Sequence, residues 1–408
     1  MPESVLLACY DFPPNEGIGG RRWAKFAKGL AQAGYDVHVI KAAPAKGTVV
    51  SGWQDDSQHP RIFVHELPRR YPESVSHPGT GIIDKVRYRI DRYLLTKREA
   101  GTIYDIAIGW EAIYLQLAED LIRTKTIHAV VATGAPFNLL FYTAKLRHKF
   151  PDLRIVVDYR DPWLTAQNYG MKDLAPTRMQ AEIAKQEFVF ANVDVVTCPN
   201  DFLLAEIQST AVVAPACAFK TLAHFFDGDD LSMYLVPEAR DASKIKLIYG
   251  GAIYMGVEKY LVELNAALTS LKSKNRGLYD RLQIDFYTPH LQHAPIFEGQ
   301  SCVHMYPSAG KAFFSALNAS DAAFIFLAHH NKDYLTTKFF EYLPFKKPLI
   351  YIGDRGYAAE FIVESKLGKV IGDVHEELER TLESLSEGFA ISNGTFDISE
   401  FSLERRTR

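Results

Sequence analysis

The chain has 408 residues, too many for one ordinary hydrophobic core, which indicates two or three domains. Its composition, 47% hydrophobic and 23% charged, is typical of a globular protein, and a net charge of −3 gives no support to a nucleic-acid binder. Four scattered cysteines without a C-x-x-C pair indicate reduced thiols in a cytoplasmic protein. No apolar run approaches the roughly 20 residues that span a bilayer, and none near the N-terminus is typical of a signal peptide.

Short apolar, β-branched runs alternate with amphipathic helical stretches, the pattern of parallel sheets buried on both faces. In the first half this pattern predicts strands at Val5–Tyr10, Asp36–Ala42, Arg61–Glu66, Ile106–Gly109, Ala129–Thr133, Arg154–Asp158 and Val193–Thr197. Helices are predicted between them at 20–33, 84–99, 111–124, 137–149 and 178–191.

The pattern fades over 209–243, which predicts a linker, and then restarts. The second half has a predicted helix at 257–273 and predicted strands at 246–249, Leu282–Tyr287, Cys302–Tyr306, Ala322–Leu327, Leu349–Ile352 and Lys369–Ile371. We therefore predict an α/β fold with two Rossmann-like, doubly wound domains at 1–208 and 244–390. Residues 391–408 are expected to form a tail or a closing helix.

Ligands of a doubly wound sheet bind beyond the carboxyl ends of its strands, usually near a helix N-terminus. The loop after the first strand contains Gly17, Gly19 and Gly20 and is followed by Arg21. Glycines let the backbone approach a ligand, and a helix start presents free N–H groups to an anion. The spacing is not G-x-G-x-x-G, so a dinucleotide site is weakly supported. A tight turn with exposed arginines is an equally good interpretation.

Two further loops of the first half follow predicted strands. Residues 133–137 form a small-residue loop that is better interpreted as a turn. In the segment 158–163, Asp158, Arg160 and Asp161 could supply a general base and an orienting ion pair. Buried Asp–Arg pairs are also common structural clamps, so both interpretations stay open.

The second half places Gly250 and Gly251 after its first strand, again before a helix. In a later helical segment Lys338 and Glu341 share one face at i and i+3. With Thr337 they lie near a helix N-terminus, where hydroxyl, amide and ammonium groups can hold a diphosphate while Glu341 accepts hydrogen bonds from a ribose. A surface ion pair with Thr337 as N-cap is the alternative.

Taken together, these segments resemble glycosyltransferase family 4 and its relatives, in particular a subgroup that makes bacterial surface polysaccharides. The resemblance rests on the order and spacing of Phe12-Pro-Pro with the glycine loop, Asp158-Tyr-Arg-Asp-Pro-Trp163, and Thr337–Leu343 with Pro348. It implies the GT-B fold, with a nucleoside-diphosphate sugar bound mainly by the C-terminal half and an acceptor mainly by the N-terminal half. It further implies a donor site in the cleft between the halves, retention of anomeric configuration, and neither an essential metal nor a cofactor besides the donor.

Asp333 and Glu341 occupy the places of the family's acid-x7-Glu motif, with Asp where Glu is usual. The glycine loop at 17–20 matches the family's phosphate-contacting glycines. Relatives usually carry an Arg and a Lys after the glycine of the second domain's first strand, but here those places are occupied by 251–256, with Lys259 as a distant substitute. The histidine that many members carry after an N-domain strand is also missing, with Arg160 near the matching position.

The resemblance thus implies that Lys338, the two glycine loops and Arg21 stabilise the departing nucleoside diphosphate. Asp161 or Asp158 would position or deprotonate the hydroxyl of a saccharide or lipid-linked acceptor. The missing Arg and Lys support an alternative, a catalytically silent GT-B protein that binds a nucleotide sugar or a partner. A sugar-nucleotide epimerase fits less well, because the loops contain few histidines.

The segment 84–99 carries six cationic and three acidic side chains around an apolar stripe. A peripheral contact with the inner face of an anionic membrane is one interpretation, and it would suit a lipid-linked acceptor. A solvated helix face is favoured, because the acidic residues dilute the positive charge.

Overall fold

The computed structural model describes residues 3–15, 18–45, 53–165, 169–236, 241, 243–372, 374–386 and 396–407. The chain divides into two compact units, Met1–Ala223 with Thr407–Arg408 and His224–Arg406. Within the described ranges, every helix lacks the combination of length and hydropathy that a membrane crossing requires.

The first unit is built on a seven-stranded parallel sheet in the order β3-β2-β1-β4-β5-β6-β7. Its strands are β1 (Ser4–Ala8), β2 (Asp36–Ala42), β3 (Ile62–Leu67), β4 (Ile127–Gly134), β5 (Arg154–Tyr159), β6 (Val195–Cys198) and β7 (Ala218–Thr221). Its helices are α1 (Ile18–Gln32), α2 (Glu73–Ser76), α3 (Ile82–Arg98), α4 (Glu111–Thr124), α5 (Asn138–Ala144), α6 (Pro176–Asn192) and α7 (Asp201–Ser209). The strand order reverses beside β1, which makes the carboxyl ends of β1 and β4 the switch point where such sheets bind ligands.

The second unit is built on a six-stranded parallel sheet in the order β10-β9-β8-β11-β12-β13. Its strands are β8 (Ile245–Gly250), β9 (Leu282–Tyr287), β10 (Val303–Tyr306), β11 (Ala322–Leu327), β12 (Leu349–Gly353) and β13 (Gly368–Ile371). Its helices are α8 (Gly228–Leu231), α9 (Glu258–Lys274), α10 (Arg276–Tyr279), α11 (Phe313–Asn318), α12 (Thr337–Tyr342), α13 (Tyr357–Glu364), α14 (Val374–Ser386) and α15 (Leu403–Thr407).

Both sheets are buried on their two faces, as the apolar strands require. In the first unit, all five residues of β1 are buried, and Trp23, Phe26 and Ala27 of α1 form a buried stripe. In the second unit, alternate residues of β11 belong to two separate hydrophobic clusters, one on each face, because successive strand side chains point to opposite sides. The predicted α/β fold with two doubly wound sheets is confirmed.

The predicted strands agree with the observed ones to within two residues, with one exception. Ile106–Gly109 is a buried turn rather than a strand, because the Asp105 carboxylate accepts the backbone N–H of Ala107 at 2.9 Å and Gly109 has a φ of +85°. The segment 209–243 contains β7, which pairs with β6 as the edge of the first sheet.

Candidate functional site

Gly19 and Gly20 lie in the first turn of α1 and pack closely against other parts of the first unit. A Cβ at Gly20 would lie 2.5 Å from the carbonyl oxygen of Asp11, and one at Gly19 would overlap the guanidinium of Arg160. Packing against the backbone therefore requires Gly20, whereas a side chain at position 19 would displace the flexible end of Arg160. Gly17, the third predicted glycine, lies outside the described residues. The two described glycines thus belong to the start of α1, and anion binding by the glycine loop stays a prediction.

The two arginines at the start of α1 have different environments. The Arg21 guanidinium lies 3.5 Å from the centroid of the Trp53 ring, a cation–π arrangement. Arg22 is buried, donates to the carbonyl of Leu222 at 2.6 Å, and places its Nε 3.6 Å from an Asp158 oxygen. Burial lowers the pKa of Arg22, and the charge of Asp158 opposes that shift. Arg22 thus has a structural role, whereas the predicted ligand contact of Arg21 stays open.

Asp158 lies at the end of β5 and has no exposed surface. Its carboxylate accepts hydrogen bonds from the Thr197 hydroxyl at 2.8 Å and from the Trp23 indole at 3.1 Å, and Arg22 lies beside it. An acceptor hydroxyl cannot reach a carboxylate that is enclosed in this way. Asp158 therefore clamps α1 to the sheet, and the choice between Asp158 and Asp161 as the acceptor carboxylate falls on Asp161.

Arg160 and Asp161 follow directly and are both partly exposed. The Arg160 side chain donates to the carbonyl oxygens of Gly134 (3.3 Å) and Ala135, which joins the ends of β4 and β5. Burial raises the pKa of Tyr169 to about 12, and the charge of Asp161 contributes to that shift. Asp161 is thus a partly exposed carboxylate just beyond the end of β5.

In the second unit, Lys338 at the start of α12 reaches the carboxyl end of β8. Its Nζ donates to the Tyr249 hydroxyl at 2.6 Å and to the carbonyl of Ala252 at 3.0 Å. The same ammonium lies 4.4 Å from the Tyr249 ring centroid and 5.7 Å from that of Tyr254. Burial lowers the pKa of Lys338 to about 7, although the Glu341 charge acts in the opposite direction. The lysine is thus a partly buried, desolvated cation that a bound anion would stabilise.

The Gly250–Gly251 loop shapes this site. Gly251 has a φ of +123°, and a Cβ there would overlap the Cε of Lys338. A Cβ at Gly250 would lie 2.4 Å from the Phe313 ring, and the Gly250 N–H donates to the Tyr342 hydroxyl at 2.9 Å. The two glycines therefore bring the backbone against the lysine side chain and against α12, as close-approach glycines do.

The remaining predicted residues of this segment lie on or beside α12. Thr337 is the first residue of the helix, Thr336 is its N-cap, and Glu341 is partly buried one turn from Lys338. Asp333 accepts the backbone N–H of Tyr357 at 2.9 Å and so caps α13. One oxygen of the motif's acidic residue is thus occupied by a helix N-terminus.

Two carboxylates at the carboxyl ends of the strands were not identified from the sequence. Asp354, after β12, accepts hydrogen bonds from Tyr260 and His329, each at 2.7 Å, and these bonds lower the pKa of its carboxyl to about 2. Lys259, the distant substitute for the missing cation, lies 3.5 Å from Asp354. A carboxylate directly after a parallel strand is the signal that could have identified it.

The second missed group is Asp11, three residues beyond the end of β1. Burial raises the pKa of its carboxyl, while Arg69, 3.6 Å away, and Arg160 act in the opposite direction. It lies at the switch point of the first sheet. In the sequence, Asp11 stands in the loop before the glycines, and its position just after a strand was the available signal.

No protein-family model matches the sequence, and no curated protein matches it. Solved structures do match. The chain is similar to the sucrose-phosphate synthase of Thermosynechococcus elongatus, with a TM-score of 0.61, 10% identity and coverage of 99% of this chain and 96% of that one. It is similar to WaaG, a glycosyltransferase involved in lipopolysaccharide biosynthesis, with a TM-score of 0.57, 14% identity and coverage of 99% and 98%.

A third similar structure is the trehalose-6-phosphate protein of E. coli bound with UDP-2-fluoro glucose, with a TM-score of 0.58, 10% identity and coverage of 99% and 94%. A UDP-N-acetylglucosamine 2-epimerase also matches, with a TM-score of 0.50 and 12% identity. The chain therefore has the GT-B fold along essentially its whole length. Identities this low show the fold alone, so the chemistry has to be argued from the residues.

Proposed function

We propose that this protein is a glycosyltransferase that moves a sugar from a nucleoside-diphosphate sugar to a saccharide or lipid-linked acceptor in surface polysaccharide biosynthesis. The transfer would retain the anomeric configuration and need no metal ion. The observation that carries the proposal is Lys338, a partly buried cation against the Gly250–Gly251 loop at the carboxyl end of a doubly wound sheet. The neighbours that carry UDP-2-fluoro glucose or act in lipopolysaccharide biosynthesis support it.

The donor would be held by the second unit. Breaking the bond between sugar and diphosphate develops negative charge on the departing phosphate, and a site without a metal must meet it with cations and aligned amides. Lys338 supplies the cation. The N–H groups of Gly250 and Gly251 already donate to the Tyr342 hydroxyl and the Tyr287 carbonyl, so this loop would position the lysine rather than contact the phosphate. Thr337 adds a hydroxyl and a helix-start amide, and Glu341 accepts hydrogen bonds from the ribose.

The acceptor would be held by the first unit. Asp161 is the carboxylate that positions or deprotonates the acceptor hydroxyl, because it lies at an accessible strand end whereas Asp158 is enclosed. Arg160 holds the turn that carries it through the carbonyls of Gly134 and Ala135. Gly19, Gly20 and Arg21, at the start of α1, would contribute at the same end of the sheet.

The first experiment is a thermal-shift screen of the full chain against UDP-, GDP-, ADP- and CMP-linked sugars, since a bound donor raises the melting temperature. The sugar that gives a shift is then the donor in a transfer assay. Lys338→Ala should reduce transfer by about 100-fold or more, the cost of removing one pre-organised charge-stabilising group. Lys274→Ala is the matched control, because Lys274 is an exposed lysine at the end of α9 in the same unit. Turnover of Lys338→Ala at the wild-type rate would reject the assignment.

Product analysis separates the alternatives. Binding of the nucleotide sugar without transfer or hydrolysis would identify a catalytically silent GT-B protein, and conversion of one sugar nucleotide into another would identify an epimerase. Activity that survives EDTA is expected, since Lys338 rather than a metal supplies the positive charge.

A further inference from the structure

Helix α3 presents an unusually apolar surface to solvent. Six large apolar side chains along it are at least half exposed: Ile82, Ile83, Val86, Ile90, Tyr93 and Leu94. Two of them, Ile82 and Ile83, are 83% and 82% exposed. A surface helix normally turns such residues toward the core, so this face calls for a partner.

The apolar side chains form one continuous stripe on the side of α3 that faces away from the protein. At about 100° per residue the six residues fall within a sector of roughly 120°. Leu95, the buried residue of the helix, lies outside this sector and packs into a cluster with Val75, Ile103 and Ile108. The helix is therefore attached along one side and exposes its apolar stripe on the other.

The positive charges of α3 lie on its exposed side, around the apolar stripe. Cations border the stripe on both sides, Arg87 and Arg98 along one edge and Lys85, Arg89 and Arg92 along the other, and Lys97 lies within it. All six are exposed. With two acidic residues in the helix, its net charge is +4, although that of the whole chain is −3.

The two acidic side chains lie on the attached side of the helix. Asp91 accepts a hydrogen bond from the Ser74 hydroxyl at 2.5 Å and lies 3.7 Å from Arg87. Asp84 accepts the backbone N–H of Gly81 at 3.2 Å. Glu99, the third acidic residue of the segment, lies 3.7 Å from Arg98. The dilution of positive charge, which favoured a solvated face in the sequence, therefore affects the border of Arg87 and Arg98 but not the stripe itself or the border of Lys85, Arg89 and Arg92.

We propose that α3 is a membrane-docking helix that lies flat on an anionic bilayer. The apolar stripe would enter the boundary between headgroups and acyl chains, and the bordering cations would contact lipid phosphates. A second copy of the chain is a poor occupant, because it would bring two strongly cationic faces together. This inference rests on α3 alone and does not depend on the proposed transferase activity.

Vesicle co-sedimentation of the full chain tests the proposal. Vesicles of phosphatidylcholine alone are compared with vesicles of phosphatidylcholine and phosphatidylglycerol in equal parts, at low and high salt. Wild-type protein should bind the anionic vesicles at least about tenfold more tightly than the neutral ones, and high salt should weaken that binding.

Two variants separate the apolar and the charged contributions. Ile83→Ser with Ile90→Ser, and Arg89→Glu with Arg92→Glu, should each weaken binding to anionic vesicles by about tenfold or more. The matched controls are Val212→Ser with Val213→Ser, another exposed apolar pair of the first unit, and Arg154→Glu with Lys172→Glu, two exposed cations away from α3. Both controls should bind as the wild type does, and all variants should keep the wild-type melting temperature because the altered side chains are exposed.

Wild-type protein that ignores anionic vesicles, or α3 variants that sediment like wild type, would overturn the proposal. A dimer would also overturn it. If size-exclusion chromatography with light scattering shows a dimer, and the Ile83 and Ile90 substitutions dissociate that dimer, then the apolar stripe binds a second copy. The result is distinguishable from failure of the proposed activity, because the assay contains no sugar nucleotide.

Discussion

Asp158 in the first unit and Lys338 in the second are both charged side chains at the carboxyl end of a parallel sheet, but Asp158 is fully buried, Lys338 is partly buried, and their surroundings differ. Asp158 accepts two close hydrogen bonds and lies beside Arg22, so its charge is compensated by the protein itself. Among the described residues, Lys338 donates to neutral acceptors, a tyrosine hydroxyl and a carbonyl, and burial lowers its pKa to about 7 against the opposing charge of Glu341. Removing one partner of a buried ion pair destabilises the fold, whereas a desolvated cation held by neutral groups is suited to an anionic ligand.

Removing Asp158 is expected to give the largest loss of stability. Asp158→Ala leaves the buried Arg22 guanidinium without its carboxylate, and breaking a buried pair in this way costs about 3–5 kcal/mol of unfolding free energy. Urea denaturation measures this loss. Unfolding of the first unit is followed by tryptophan fluorescence, because Trp23 lies beside Asp158.

Asp161→Ala is the informative comparison, since Asp161 is partly exposed and lies three positions along the same segment. It should change stability by no more than about 0.5 kcal/mol while it lowers transfer. A variant of Asp158 that is as stable as wild type would contradict the clamping role assigned here.

The second prediction concerns the pH dependence of donor binding. In the free protein, burial holds the pKa of Lys338 near 7, so the side chain loses its proton as pH rises above that value. A diphosphate binds the ammonium form, which raises the pKa of the lysine and takes up a proton. Affinity should therefore fall above pH 7, by at most about tenfold per pH unit.

Isothermal titration in two buffers of different ionisation enthalpy, with a nucleotide sugar as ligand, measures this proton uptake. A nucleotide sugar is preferable to a free nucleotide, whose terminal phosphate itself titrates near pH 6. Lys338→Ala should bind weakly and without proton uptake. Equal proton uptake by wild type and variant would show that another group titrates.

The sequence predicted the sheets well because buried parallel strands are continuous apolar runs, and β9 and β11 match to the residue. It failed at Ile106–Gly109, an equally apolar run, because the hydrogen bonds that fold it into a turn come from Asp105, just outside the run. It also failed to identify β7, whose residues Ala218–Thr221 alternate between exposed and partly buried at the sheet edge.

The site residues were predicted as members of motifs, and only three-dimensional contacts separated their roles. Nothing in the spacing of Asp158 and Asp161 indicates that the first is enclosed by Trp23 and Thr197, which lie far away in sequence. Tyr249 was missed as the partner of Lys338, although it is the last side chain before the Gly250–Gly251 loop. Its position next to that loop was the available signal.

The smallest expected effect is at Asp333. Its carboxylate could cap a helix, contact the donor, or do both. Asp333→Ala removes the acceptor for the Tyr357 N–H at the start of α13, which should cost about 1 kcal/mol of unfolding free energy. Thermal or urea denaturation of the variant measures the loss.

Asp333→Asn separates the two roles, because asparagine is as good a cap as aspartate but carries no charge. If capping is the whole role, Asp333→Asn should match wild type in both stability and affinity for the nucleotide sugar. A variant that is as stable as wild type but binds the donor more weakly would show that the charge itself contacts the ligand. In that case the donor site of the second unit would include the Asp333 carboxylate as well as Lys338.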